Sequence, residues 1–122
     1  MRMIEQEIIQ AIRDRKDLKA GHSSEMSGYR DVLTFSPAGF SYRLWDNYIA
    51  VSSDGTRTLV IDSCGYATAT TRSRLNAIFA AMDIPVTCSV RKKKMVYYLN
   101  GIICSGLSKM TIEAGEWTVM IS

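Results

Sequence analysis

Residues 40–52 read Phe40-Ser41-Tyr42-Arg43-Leu44-Trp45-Asp46-Asn47-Tyr48-Ile49-Ala50-Val51-Ser52. Phe40, Tyr42 and Leu44 alternate with Ser41 and Arg43, the period-two pattern of a strand with one buried face. Asp46-Asn47 supplies a two-residue turn of the hairpin kind, and Tyr48–Ser52 returns as the partner strand. Sequence neighbours joined this way pair antiparallel. The stretch therefore predicts a meander, and the helices on either side must pack against it.

Working outward, Val32-Leu33-Thr34-Phe35 reads as the preceding strand, ended by Ser36-Pro37-Ala38-Gly39. Ser53-Asp54-Gly55 turns the chain again, and Thr58-Leu59-Val60-Ile61-Asp62 forms a third meander strand rich in β-branched residues. Upstream, residues 3–18 predict an amphipathic helix with Ile4, Ile8, Ala11 and Ile12 at spacings of three and four. Glu5 and Glu7 lie near its start and Arg13, Arg15, Lys16 and Lys19 near its end, which complements the helix dipole. Gly21 is the expected stop, and residues 21–28 carry loop chemistry.

Downstream, Ser63 to Thr71 reads as a polar, Thr-rich connection. Thr71 is the expected N-cap of a second helix over 72–82, with Leu75, Ile78, Phe79 and Met82 as its apolar stripe. Asp83 and Pro85 end it. Val86–Val90 and Met95–Leu99 flank the tip Arg91-Lys92-Lys93-Lys94. Asn100-Gly101 is a type I′ hairpin signal leading into Ile102–Cys104. Met110–Glu113 and Trp117–Ile121 flank the turn Ala114-Gly115-Glu116. The expected fold class is α+β: two helices packed on antiparallel β-sheet, in one sheet or two small ones, in the order helix-meander-helix-meander. Tyr42-Arg43-Leu44 before Asp46-Asn47 echoes Tyr97-Tyr98-Leu99 before Asn100-Gly101; shared turn chemistry accounts for the echo as well as a structural repeat does.

The chain has 122 residues, 47% of them hydrophobic and 22% charged, a length and composition that predict a single domain, 1–122, with a packed core. Fifteen Lys and Arg against twelve Asp and Glu give a net charge of +3. A DNA mimic would need strong negative charge. No apolar run approaches the roughly 20 residues that span a bilayer, and Glu5 and Glu7 break the pattern of a signal peptide.

Functional chemistry is sparse. Cys64, Cys88 and Cys104 are widely spaced with no C-x-x-C pair, so neither a disulfide framework nor a metal site is expected. Cys88 and Cys104 read as buried small hydrophobes, and Cys64 as a turn residue. The thiols fit a reducing cytoplasm. His22, the single histidine, reads as a solvated loop residue, and nothing pairs it with Cys64. The acids show no paired spacing, and no phosphate-cradling glycine loop occurs. No catalytic residue and no cofactor is expected, so the chain is not expected to be an enzyme. The densest charge run is Arg91-Lys92-Lys93-Lys94, either a solvated hairpin tip or a phosphate contact with Tyr97, Tyr98 or Trp45 as stacking platforms. Arg72 and Arg74, with Thr68 and Thr70 at a helix N-terminus, form a second candidate anion surface, although scaffold roles explain the same residues.

The segment Cys64-Gly65-Tyr66-Ala67-Thr68-Ala69-Thr70-Thr71-Arg72-Ser73-Arg74-Leu75-Asn76-Ala77 resembles a pattern in a family of small bacteriophage proteins, C/A-G-W/Y-x-T-x-T-T-x-x-R-L-N-A. Asp46-Asn47-Tyr48-Ile49-Ala50, Ala11-Ile12-Arg13-Asp14-Arg15, Gly21-His22-Ser23-Ser24 and Tyr97–Gly101 match further family strings, so the likeness covers residues 11 to about 101. The resemblance implies phage origin and a host-cytoplasmic setting, and it carries over no catalytic residue. The expected function is that of a phage accessory protein that binds a host or phage protein, as a host-takeover or anti-defence factor. The alternative is a nucleic-acid-binding module that uses the basic tip. No membrane partner is expected. An unpaired edge strand, with the Met110–Ser122 hairpin as candidate, is a route to homo-oligomers.

Overall fold

The computed structural model describes residues 3–23, 28–104 and 109–122, with only the backbone for Met3, His22 and Ser23. Helix α1 spans Met3–Asp14. It stops before the predicted end because Arg15 takes φ +53, with Lys16 N–H donating to Ala11 O at 2.9 Å and Arg15 N–H to Ile12 O at 3.2 Å. That six-to-one and five-to-two pair is a Schellman closure made by a non-glycine residue. Gly21 is therefore not the stop. It lies inside strand β1, Leu18–Ser23, in a segment whose composition reads as a loop; residues 24–27 of that loop lie outside the described residues.

Strand β1 pairs antiparallel with β2, Gly28–Ser36, which pairs with β3, Gly39–Leu44. The β3 turn into β4, Asn47–Ser53, uses Trp45-Asp46, one residue earlier than expected, because Leu44 and Asn47 are register partners. Tyr42 pairs with Ala50 but Arg43 with Tyr48, so Ile49 is an extra residue, a β-bulge. The bulge re-phases β4 and lets Ile49 and Ala50 both face the core. Strand β5, Thr58–Ile61, completes the first meander.

Helix α2 spans Ala69–Ala81, starting earlier than predicted. Its N-cap is Thr68, whose hydroxyl accepts from Thr71 N–H at 3.2 Å, so the cap is not Thr71. Its end repeats the Schellman closure: Asp83 has φ +55, and Ile84 N–H reaches Phe79 O at 2.9 Å. Strands β6, Val86–Arg91, β7, Lys94–Leu99, and β8, Ile102–Cys104, form a separate three-stranded sheet. Asn100 and Gly101 both have positive φ, as the type I′ reading requires. Strands β9, Met110–Ala114, and β10, Trp117–Ile121, then join the first sheet, giving the order β1-β2-β3-β4-β5-β10-β9.

Here the expectation of wholly antiparallel sheet is corrected: β10 runs parallel to β5. Hairpins fix local neighbours only. A parallel pair needs a crossover between its strands, and α2 with the small sheet is that crossover. The two helices lie side by side in the same direction, since Ser73 donates to Glu5 at one end and Arg13 meets Asp83 at the other. The core between helices and sheets includes Ile8, Leu33, Tyr42, Leu59, Ile61, Leu75, Ile78, Phe79 and Val119.

Candidate functional site

Two of the sequence strings that resemble the phage family converge on one cleft. The β3–β4 turn contributes Trp45, Asp46 and Asn47, and β4 contributes Ile49. The β5–α2 connection contributes Ser63, Tyr66 and Thr68, and the first turn of α2 adds Thr70 and Thr71. With Leu44 they enclose about 550 Å³. Trp45 is 45% exposed and Tyr66 57% exposed, so both rings border the cleft and remain open to solvent.

The backbone around the cleft is unusual. Trp45 holds φ +56 and Cys64 φ +55, values that a side chain with a Cβ adopts at a cost of about 1–2 kcal/mol. Each is anchored: Trp45 N–H donates to Arg30 O at 2.6 Å, and Cys64 N–H to the Asp62 carboxylate at 2.7 Å. The Cys64 thiol donates to Tyr48 O at 3.5 Å. Burial, and then the Asp62 charge, push that thiol above its usual range. Cys64 is therefore a poor thiolate at neutral pH. His22 lies on β1, four strand spacings from β5, a separation of roughly 19 Å at about 4.8 Å per strand. The predicted solvation of its side chain falls outside the described residues.

Behind the cleft lies the most strongly coupled polar cluster of the described residues. Arg74 is 2% exposed and Asp31 1%. Arg74 Nε donates to Asp31 Oδ1 at 2.8 Å and Nη2 to Oδ2 at 3.3 Å. The Tyr42 hydroxyl donates to Oδ1 at 2.7 Å and Arg30 Nε to Oδ2 at 2.6 Å. Arg74 Nη1 donates to Ser73 Oγ at 3.1 Å, and Ser73 passes the chain to Glu5. Burial by itself would raise the Asp31 carboxyl, but the hydrogen bonds from Arg74, Tyr42 and Arg30 outweigh it and hold the group below its usual range. Burial and the facing carboxylate push the Tyr42 phenol far up.

The predicted surface role of Arg74 is thereby corrected: its guanidinium is spent inside the protein. Arg72 is exposed. Residues two apart on a helix point to nearly opposite sides, so the two arginines cannot share one anion, a point the spacing alone carries. The remaining motif residues bridge the sheets. Asn76 Nδ2 donates to Cys88 O at 3.0 Å and its Oδ1 accepts from Cys88 N–H at 2.8 Å. A side-chain amide thus occupies the open edge of β6. Leu75 and Ala77, flanking Asn76, are buried in the core.

Arg91, Lys92, Lys93 and Lys94 form an exposed hairpin tip. Lys92 and Lys93 have φ +49 and +63, a type I′ turn built from two lysines where Asn-Gly is the usual solution. Trp45 belongs to the other sheet, and Tyr97 is 3% exposed, so neither serves as a stacking platform beside the tip; Tyr98 is half-buried. Cys88 is buried, its thiol pushed up to about 12 by burial. Cys104 is only partly covered. Among the described residues no three His, Cys, Asp or Glu side chains gather as a metal site, and no helix is long and apolar enough to cross a membrane.

Neither the comparison with curated proteins nor that with solved structures returned a match. Residues 1–119 match the family model described as Kyanoviridae Gp96 protein, a longer span than the strings from 11 to 101 that carried the resemblance. A match over nearly the whole length shows that the chain belongs to that family of bacteriophage proteins.

Proposed function

We propose that the protein works by binding, without turnover, and that the Trp45–Tyr66 cleft takes a segment of a host protein as part of host takeover or defence inhibition. The supporting observation is the exposure of two large aromatic side chains around a concave site. Exposed Trp and Tyr are the side chains that most often carry binding energy at protein interfaces. Asp46 is the one charged residue among the described residues of the lining, so the fitting segment brings an apolar or basic side chain with hydrogen-bonding neighbours for the threonines. The host setting rests on membership of a phage family and on the habits of small phage proteins as a class.

The test is recovery of a stoichiometric host protein by the tagged chain, compared with Trp45→Ala and Tyr66→Ala. Loss of recovery in both variants, with unchanged melting, supports the cleft; equal recovery by all three chains overturns it. Strand β9 ends the large sheet, so self-association through that edge is the accompanying proposal, and light scattering measures it. The nucleic-acid reading rests on the tip, where four exposed consecutive cations repel one another unless an anion relieves them. Gel shifts at about 50 mM salt that vanish in a tip variant would favour it.

A further inference from the structure

The outward face of the large sheet carries a second, differently built site. Strand register sets Lys19, Val32, Arg43 and Tyr48 in one lateral row across four neighbouring strands: Lys19 pairs with Val32, Val32 with Arg43, and Arg43 with Tyr48. The row lines a groove of about 450 Å³ that Tyr29 and Thr34 help to close. That volume falls within the range of sites for small organic ligands.

Among the described residues the groove is lined by two cations and no carboxylate, in a chain whose net charge is only +3. Arg43 is half-buried, and its Nε is sealed from solvent with no acceptor. No hydrogen bond or ion pair of Arg43 occurs among the described residues. A partly desolvated guanidinium without a counter-charge is unfavourable, and an arriving anion relieves it. Turning that guanidinium toward a ligand breaks no existing bond. The Lys19 ammonium lies 5.8 Å from the Tyr29 ring centroid, a cation–π contact that keeps it beside the groove. Tyr48, at the end of the row, is 58% exposed and offers a ring face next to Arg43.

We propose that this groove binds a nucleoside phosphate, with the phosphate held by Lys19 and Arg43 and the base stacked on Tyr48. A guanidinium and an ammonium suit phosphate oxygens, and base-on-aromatic stacking supplies the second contact. A free mononucleotide and a nucleotide within a single strand present the same chemistry. The site is independent of the partner cleft and of the basic tip.

Calorimetry with adenosine and guanosine monophosphates, and fluorescence anisotropy with short labelled oligothymidylate and oligouridylate at about 50 mM salt, form the two arms of the test. Binding in the first arm alone identifies a free nucleotide; binding in the second, with monophosphates competing weakly, identifies a single strand. In either case Arg43→Gln, Lys19→Gln and Tyr48→Leu each weaken binding about 10-fold, while Arg43→Lys retains part of it. For strand binding, the slope of log affinity against log salt falls by about 0.7 per cation removed. Tyr66→Ala and serine substitutions at Lys92 and Lys93 leave binding unchanged, and melting curves establish that each variant folds. The proposal is overturned by absence of binding in both arms, by binding that survives all three groove variants, or by loss confined to the tip variant. Inorganic phosphate binding as tightly as the nucleotides overturns the role given to Tyr48.

Discussion

Tyr42 and Arg43 are adjacent on β3, yet they belong to opposite regimes. On the inward face, Tyr42 joins a closed set in which Asp31 accepts from Arg74, Tyr42 and Arg30. On the outward face, Arg43 has a buried Nε and no acceptor. Two arginines of similar sequence character thus face one sheet differently: Arg74, reaching it from α2, is matched, and Arg43, on β3 itself, is unmatched. The difference teaches that a charged residue near a core is informative through its partners and not through its burial. Inside, polar atoms fix how α2 meets β2. Outside, an unspent donor marks a surface arranged for something the chain itself does not supply.

The comparison breaks most sharply under substitution. Asp31→Ala removes the acceptor of four hydrogen bonds from three residues and strands the buried Arg74, and is expected to cost about 3–5 kcal/mol in urea unfolding. Arg43→Leu removes only an unsatisfied donor, so stability is expected to hold or to rise by about 1 kcal/mol. Equal losses in the two variants would erase the distinction between the faces.

Asn76→Ala tests the other polar link. It leaves the Cys88 N–H and carbonyl on β6 without partners, and a loss of about 1–3 kcal/mol is expected. Hydrogen exchange at the Cys88 amide should accelerate in the same variant while amides of β3 stay protected.

Acid sharpens the contrast further. The folded Asp31 carboxyl titrates below its usual value of 3.8, so its stabilisation is complete above about pH 4 and drains away as pH falls through the native titration. Unfolding midpoints measured between pH 7 and pH 2 should therefore fall at the acid end. Arg43→Leu should follow the same curve, because Arg43 does not contact that carboxylate.

The smallest expected effect concerns the cleft. Trp45→Asn keeps a residue that tolerates φ +56 and should change stability by no more than about 1 kcal/mol, in the stabilising direction if strain dominates. Partner recovery should nevertheless fall, separating strain from stability.

Much of the sheet was legible because alternation and turn chemistry are local signals. Phe40, Tyr42 and Leu44 announce a buried face, and Asn100-Gly101 announces its turn. Strand β1 was not legible, since Gly21, His22 and Ser23 carry loop chemistry and only pairing with β2 makes them a strand. Nor was the parallel β5–β10 pair, because no residue within either strand encodes where a distant hairpin docks. At the candidate cleft, Thr68 and Thr70 stand out by their place beside a helix start, but no local signal links Trp45 with Tyr66. Their convergence depends on two loops meeting in space. The Lys19–Arg43–Tyr48 row was invisible for the same reason, as it exists only once three register alignments are fixed.

The β5–β10 pair also constrains the order of assembly. While the chain is being synthesised, β5 can find β4 at once, but its other side stays bare until residues 117–121 have been made, after the whole crossover. A ribosome-bound intermediate therefore presents an exposed hydrogen-bonding ledge through the production of α2 and the small sheet. Messages truncated before residue 117 should yield chains that clump, and the codons for β10 decide whether the residues made before them remain dispersed.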